Sequence, residues 1–109
     1  MNKYKVIWTR TSKNDLERII GYIAERDSIA AASKIYKKIK AGALNIENYP
    51  KKGKIVPELS KHNIISYHEH IIPPWRIIYR IENQIVYILA IIDGRRNIED
   101  ILMDRFMNL

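Results

Sequence analysis

The chain contains no cysteine. That excludes disulfides, thiol nucleophiles and cysteine-ligated metal, and it suits a reducing cytoplasm, the expected location. Histidine is scarce too: the three residues, His62, His68 and His70, are too few and too local for a metal site, so neither metal nor cofactor is expected. No apolar run reaches the roughly 18 residues of a membrane-spanning helix, and MNKYKVIWTR at the start lacks the apolar core of a signal peptide. No membrane partner is expected. Glycine and proline number four each, with no low-complexity or linker segment among the 109 residues. One domain spanning 1–109 is the expectation, long enough for a real core and too short for two. Acidic residues are scarce in one half only. Residues 1–54 carry 13 Lys/Arg against 5 Asp/Glu, whereas 55–109 carry 6 against 7. The basic half should face nucleic acid, a ribosome or an acidic protein, unless it merely solubilises helix surfaces.

What the chain has in quantity is concentrated at 64–93, IISYHEHIIPPWRIIYRIENQIVYILAIID. Ile, Val, Tyr and Trp fit a pleated, half-buried surface. Pro73-Pro74 and Glu82-Asn83-Gln84 break the run into three strands, an antiparallel meander. Val86–Ile92 is apolar on both faces, apart from the Tyr87 hydroxyl, so it should be central and covered on both sides. Tyr4–Thr9 reads as a short strand at a sheet edge. Ser12-x-x-Asp15 resembles a capping box, and Leu16, Ile19, Ile20 and Ile23 follow as one helical stripe. Asp27-Ser28 ends that helix and caps a second, Ile29 to about Asn48. There Ala32, Ile35, Ile39, Ala43 and Ile46 form the stripe, and Lys34, Lys37, Lys38 and Lys40 lie largely off it. Pro50 stops this helix. Residues 51–62 read as a basic loop, and Asn97 caps a final helix to about Met107. The order β-α-α-β-β-β-α gives an α+β fold, a small, mainly antiparallel sheet with a two-helix hairpin packed on one face.

Several side chains carry candidate chemistry, each with a structural alternative. Arg95 and Arg96 follow the last strand, where a cation pair grips phosphate or an acidic partner, or else pairs with Asp93, Glu99 or Asp100. Period two puts Arg76 and Arg80 on one strand face, expected to lie opposite the helices with His68 or His70 beside them. That arrangement makes a cleft for a polyanion; alternatively Arg76 is the cross-strand partner of Glu69. Glu58, Glu69, His68 and His70 are the acid–base candidates, or ordinary polar residues of a half-exposed strand. Lys51, Lys52, Lys54 and Lys61 attract phosphate or form a solvated charge run. Trp8, Tyr67, Trp75, Tyr79 and Tyr87 are base-stacking platforms or core, core being the commoner fate.

The patches YKVIWTRTSKNDLERIIGYIAE, GKIVPEL (53–59), YHE (67–69), WRIIYRI (75–81) and VYILAIIDGRR (86–96) resemble, in order and spacing, the RelE/ParE superfamily of type II toxin–antitoxin toxins. Departures are Lys54 in place of an arginine, His68 inside the "Y-R-E" triplet, Trp75 in place of tyrosine, and Asp93 in place of the histidine of "H-G-R-R". The resemblance implies growth inhibition, plasmid stabilisation and a hetero-oligomer with a cognate antitoxin. It also implies one of two targets. RelE-like members cut mRNA in the ribosome without metal; Arg76, Arg95, Arg96, Glu58 and His68 would then be catalytic. ParE-like members poison DNA gyrase; Lys51, Lys52, Lys54, Arg76, Arg80, Arg95 and Arg96 would then bind the target. The cutting branch has an arginine near Ile71–Ile72 and a tyrosine near Ile101, both aliphatic here. The ParE-like branch is therefore favoured.

Overall fold

The computed structural model describes residues 4–107. The meander forms as expected: β3 (Tyr67–Ile72), β4 (Trp75–Glu82) and β5 (Ile85–Asp93) pair antiparallel in sequence. The Pro73-Pro74 bond joining β3 to β4 is cis, and Asn83, at φ 58, supplies the left-handed residue of the β4–β5 turn. β1 (Lys5–Trp8) lies at the sheet edge and runs parallel to β5.

The 51–62 segment is more than a loop. After a 3₁₀ turn at Pro50–Lys52 it contributes β2 (Lys54–Ile55), which pairs with β3. The helical turn α3 (Pro57–Ser60) follows. Among the described residues the sheet therefore has five strands, in the order β1-β5-β4-β3-β2. The signal for β2 is two residues long, too short for alternation to register.

The long helices α1 (Arg10–Arg26) and α2 (Ile29–Asn48) pack on one face. α1 starts earlier than Ser12. Thr9 is the N-cap; its Oγ1 accepts from the Ser12 N–H at 3.2 Å, and Ser12 Oγ donates to the Thr9 carbonyl at 2.8 Å. Ser28 caps α2 as expected, accepting from the Ala31 N–H. Their stripes meet Ile77, Tyr79, Val86, Ile88 and Ile91 in one apolar cluster. Each large side chain fully buried there contributes about 1.5–3 kcal/mol, which chain entropy largely offsets.

The other face is not the open polar cleft expected. α3, the short helix α4 (Ile98–Leu102) and the π turn that follows it at Met103–Met107 cover it. A second cluster of Val56, Leu59, Ile78, Ala90, Ile92, Ile98 and Leu102 fills the space beneath. One bulge explains why β5 has no polar face. Ile78 pairs with Ala90 but Tyr79 pairs with Ile88, leaving Leu89 without a counterpart. The alternation changes phase there, so Val86, Ile88 and Ile91 point to the long helices while Ala90 and Ile92 point to the second cluster.

Candidate functional site

Two charged clusters flank the end of the sheet where β4 begins and β5 finishes. The first is built on Arg76. β3 and β4 place Glu69 and Arg76 on the same face, and the first turn of α3 brings in Glu58. The guanidinium fork meets Glu58 in a bidentate pair, Nη1 to Oε2 and Nη2 to Oε1, both at 2.7 Å. Nε donates to Glu69 Oε1 at 2.6 Å, and Glu69 is only 3% exposed. Lys54 Nζ stands 3.9 Å from the other Glu69 oxygen. Hydrogen bonding from Arg76 holds the Glu58 carboxyl below its usual range, and Glu58, then Glu69, raises the pKa of Arg76. The cross-strand partner of Arg76 is thus real, and its donors are already committed to the chain's own carboxylates.

The second cluster rims a pocket. β1 stops at Trp8 while β5 runs on to Asp93, so among the described residues no strand lies along that edge of the far part of β5. α1 substitutes a side chain: Asp15, 2% exposed, accepts the Ile91 N–H at 3.0 Å. It also takes Arg105 through both terminal nitrogens, at 2.8 and 3.0 Å, and Arg18 at 2.6 Å. The capping-box reading of Ser12 and Asp15 is therefore corrected: Thr9 is the N-cap, and Asp15 ties helix, strand and C-terminal segment together. Beyond the strand, Arg95 forks onto Asp93, Nε to Oδ1 at 2.9 Å and Nη2 to Oδ2 at 2.6 Å. Arg95 holds the Asp93 carboxyl below its usual range, and its own pKa is raised in return. Arg96 is exposed and has no ion-pair partner among the described residues. Between these groups lies a concavity of about 520 Å³ with an apolar floor that includes Ile19, Ile23, Trp75 and Ile91. Arg18, Arg95, Arg96 and Arg105 line its sides.

The remaining candidates do not converge on this pocket. His68 and His70 face the long helices, not the Arg76 face. His68 stacks on Tyr79 with centroids 5.7 Å apart, and its Nδ1 is buried without a hydrogen-bond partner among the described residues. Burial lowers the pKa of both histidines. Glu58 and His68 are thus on opposite faces of the sheet and cannot form an acid–base pair. Arg80 shares the Arg76 face as expected, but its guanidinium lies 5.7 Å from the Tyr87 ring and 3.5 Å from Glu82. Lys51 and Lys52 are exposed on the 3₁₀ turn, with Lys52 over Tyr49, and Lys54 is exposed on β2. Lys61 and His62 hold Glu99 at 2.5 and 3.0 Å, stapling α4 to the turn that follows α3. Of the aromatics, Tyr79 is core, Trp8 packs against it, Tyr67 stacks on Phe106 and Trp75 lines the pocket.

Sequence reasoning missed Arg18, Tyr22 and the Asp15–Arg105 clamp. One signal was present: Asp15 stands four residues before Ile19 and eight before Ile23, a carboxylate in line with an apolar stripe.

Residues 6–98 match the family model described as the ParE toxin of type II toxin–antitoxin system, parDE. A curated relative, Toxin ParE3 of Caulobacter vibrioides, is 28% identical over 94 residues, covering 86% of this chain and 90% of that protein. Among solved structures, the chromosomal ParDE system of P. aeruginosa superposes with a TM-score of 0.71 at 17% identity, over 85% of this chain and 98% of that one. The toxin–antitoxin complex RelBE2 of Mycobacterium tuberculosis superposes with a TM-score of 0.62 at 19% identity, over 84% and 98%. These likenesses establish a shared fold.

Proposed function

The chain belongs to the ParE toxin family of type II toxin–antitoxin systems, and we propose that it arrests growth in the cytoplasm by binding DNA gyrase, until a cognate antitoxin neutralises it. The observation that carries this reading over mRNA cleavage is the sealing of Arg76 by Glu58 and Glu69. Cleavage through the 2′-OH needs a base at the hydroxyl and uncommitted cations at the phosphorane-like charge. Here the cation and one candidate base are spent on each other. The other base, His68, lies behind the sheet, and burial disfavours its charged form. Ile71, Ile72 and Ile101 supply neither role. What remains at the surface, Arg95, Arg96 and the pocket beside them, suits binding.

Two assays test it together. Purified protein should inhibit supercoiling by gyrase, read as relaxed topoisomers. Primer extension on translated transcripts after induction should show no codon-phased ends. Codon-phased cuts that vanish with Arg95→Ala, with supercoiling intact, would overturn the proposal in favour of a ribosome-dependent endonuclease.

A further inference from the structure

We infer that the concavity between the C-terminal turn of α2 and β3 is a nucleotide site, taking one nucleobase between Tyr49, Asn45 and His70 and its phosphate on Lys52. It shares no lining residue with the arginine-rimmed pocket and does not depend on the toxin reading above.

The chain builds this concavity at one turn. Once α2 has ended, Pro50 opens the 3₁₀ turn, which brings Lys52 back over the Tyr49 ring, Nζ 5.6 Å from its centroid. Tyr79 Oη donates to the Pro50 carbonyl at 2.7 Å and ties the turn to β4. Gly53 permits that closeness, since a Cβ there would run into Tyr79 Oη. His70 on β3 forms the far wall, with its Cδ2 edge against Gly42 of α2. The lining decides the class of occupant. No carboxylate lines the space among the described residues: Glu47 lines a different concavity with Trp8 and Lys40, and Glu69 is turned to Arg76 on the other face. A metal ion or an amine therefore finds no counter-charge. Ile46 is the one aliphatic side chain in the lining among the described residues, which suits no apolar peptide anchor. A bare anion would use Lys52 and leave the ring, the amide and the imidazole idle. A nucleotide uses all four. Unstacked bases lie on aromatic faces and hydrogen-bond through their edges. Tyr49, 58% exposed, offers the face, and the Asn45 amide offers a donor and an acceptor. Burial lowers the pKa of His70, so near neutrality its imidazole is uncharged and also presents one donor and one acceptor. A phosphate attracts the Lys52 ammonium more strongly than a ring does, so the phosphate takes the cation and the base takes the ring. At about 270 Å³ the space is smaller than the roughly 300–1,000 Å³ of pockets for drug-sized ligands, room for one base and not two. That base comes from a free mononucleotide or from an unpaired residue of a strand; both present the same ring and phosphate.

The test follows the isotope-labelled full chain by NMR while AMP, GMP, CMP, UMP, their nucleosides and inorganic phosphate are added in turn. At least one mononucleotide should saturably shift the His70 ring signals and the Tyr49, Lys52 and Gly53 amides at millimolar concentration or below, with the Ile91 amide unmoved. Tyr49→Ala and Lys52→Gln, both at exposed positions, should keep the amide pattern of the parent away from the turn. Tyr49→Ala should weaken the nucleotide about fivefold or more, the scale of one lost stacking contact. Lys52→Gln should weaken the nucleotide and leave its nucleoside unchanged. A single-stranded DNA trinucleotide then separates the two sources. If it moves the same signals at lower concentration than the mononucleotide, the occupant is an unpaired residue of a strand; if it needs more, the occupant is a free nucleotide. Both results sustain the inference. Nucleotides that leave the His70 ring unmoved overturn it, as does a nucleotide held equally by the parent and both variants. Inorganic phosphate that reproduces the full set of shifts also overturns it, by making the turn a site for bare anions.

Discussion

Arg76 shows how a residue suited to phosphate is diverted to structure. Its side chain is 11% exposed and its fork is filled by two carboxylates, one of them nearly buried. Removing the cation strands Glu69, and breaking a buried ion pair by deleting one partner costs about 3–5 kcal/mol. Arg76→Ala should lose stability on that scale, read from the urea midpoint. Glu58→Gln, at the wetter end of the cluster, should lose about 1.5–3 kcal/mol or less, the range for a hydrogen bond to a charged group. If Arg76→Ala is as stable as the parent, the cluster is not structural. The histidines give a second residue-scale prediction. Burial depresses the pKa of His68 and His70 in the folded state. The unfolded chain therefore binds more protons as pH falls below its own histidine pKa, about 6.5. Stability should be fully present above that pH and decline as it falls toward the folded values. Below about 4.5, Glu58 adds a further loss, since Arg76 depresses its pKa as well. His68→Phe preserves the stack on Tyr79 and should flatten the first decline in urea midpoints measured from pH 8 to 5. An unchanged slope would remove His68 as its source.

At the level of elements, the Asp15 clamp fastens three pieces: α1, the far end of β5 and the segment after α4. Asp15→Asn keeps the shape but loses the charge that two arginines share. Arg105 sits at 23% exposure with no other acidic partner among the described residues. The segment around 103–107 should loosen first. Amide exchange should quicken at Ile91 and across 98–107 while the β4–β5 ladder stays protected. Uniform quickening over the whole sheet would mean the clamp sustains global stability instead. No local pattern in the sequence encodes this clamp, whose three pieces are far apart along the chain. The meander, the edge strand and both long helices were legible because alternation and helical spacing persist over several residues. β2 and α3 were not, since two and four residues carry no period. Arg76 and Glu69 were paired correctly as one alternative from strand period alone. The expected face for the histidines fails, because the register between β3 and β4 decides facing and no local signal encodes it: Glu69 opposes Ile78, while His68 opposes Tyr79 on the helix side. The pocket was invisible for a further reason. Its walls come from α1, the starts and ends of two strands and Arg105, which meet only in three dimensions.

Across the whole molecule, charge and anchoring divide the work of recognition. The excess positive charge belongs to residues 1–54, and Lys34, Lys37 and Lys38 stand exposed along α2. None of these lysines lines the arginine-rimmed pocket. Charges outside a contact act at a distance, through a field that salt screens over about 8 Å at physiological ionic strength. They should govern how fast an acidic partner arrives, while groups inside the contact govern how long it stays. In a Trp8→Phe background, replacing Lys34, Lys37 and Lys38 together by glutamine should therefore lower the association rate constant of an acidic partner severalfold at low salt, followed by Trp75 emission in a stopped-flow instrument. The dissociation rate constant should not move, and the difference from the parent should disappear near 0.5 M salt, where the screening length is about 4 Å. Arg96→Glu should show the complementary pattern, with faster dissociation that persists at high salt. If the lysine variant instead accelerates dissociation, α2 is part of the contact itself, and the partner covers the long helices as well as the end of the sheet.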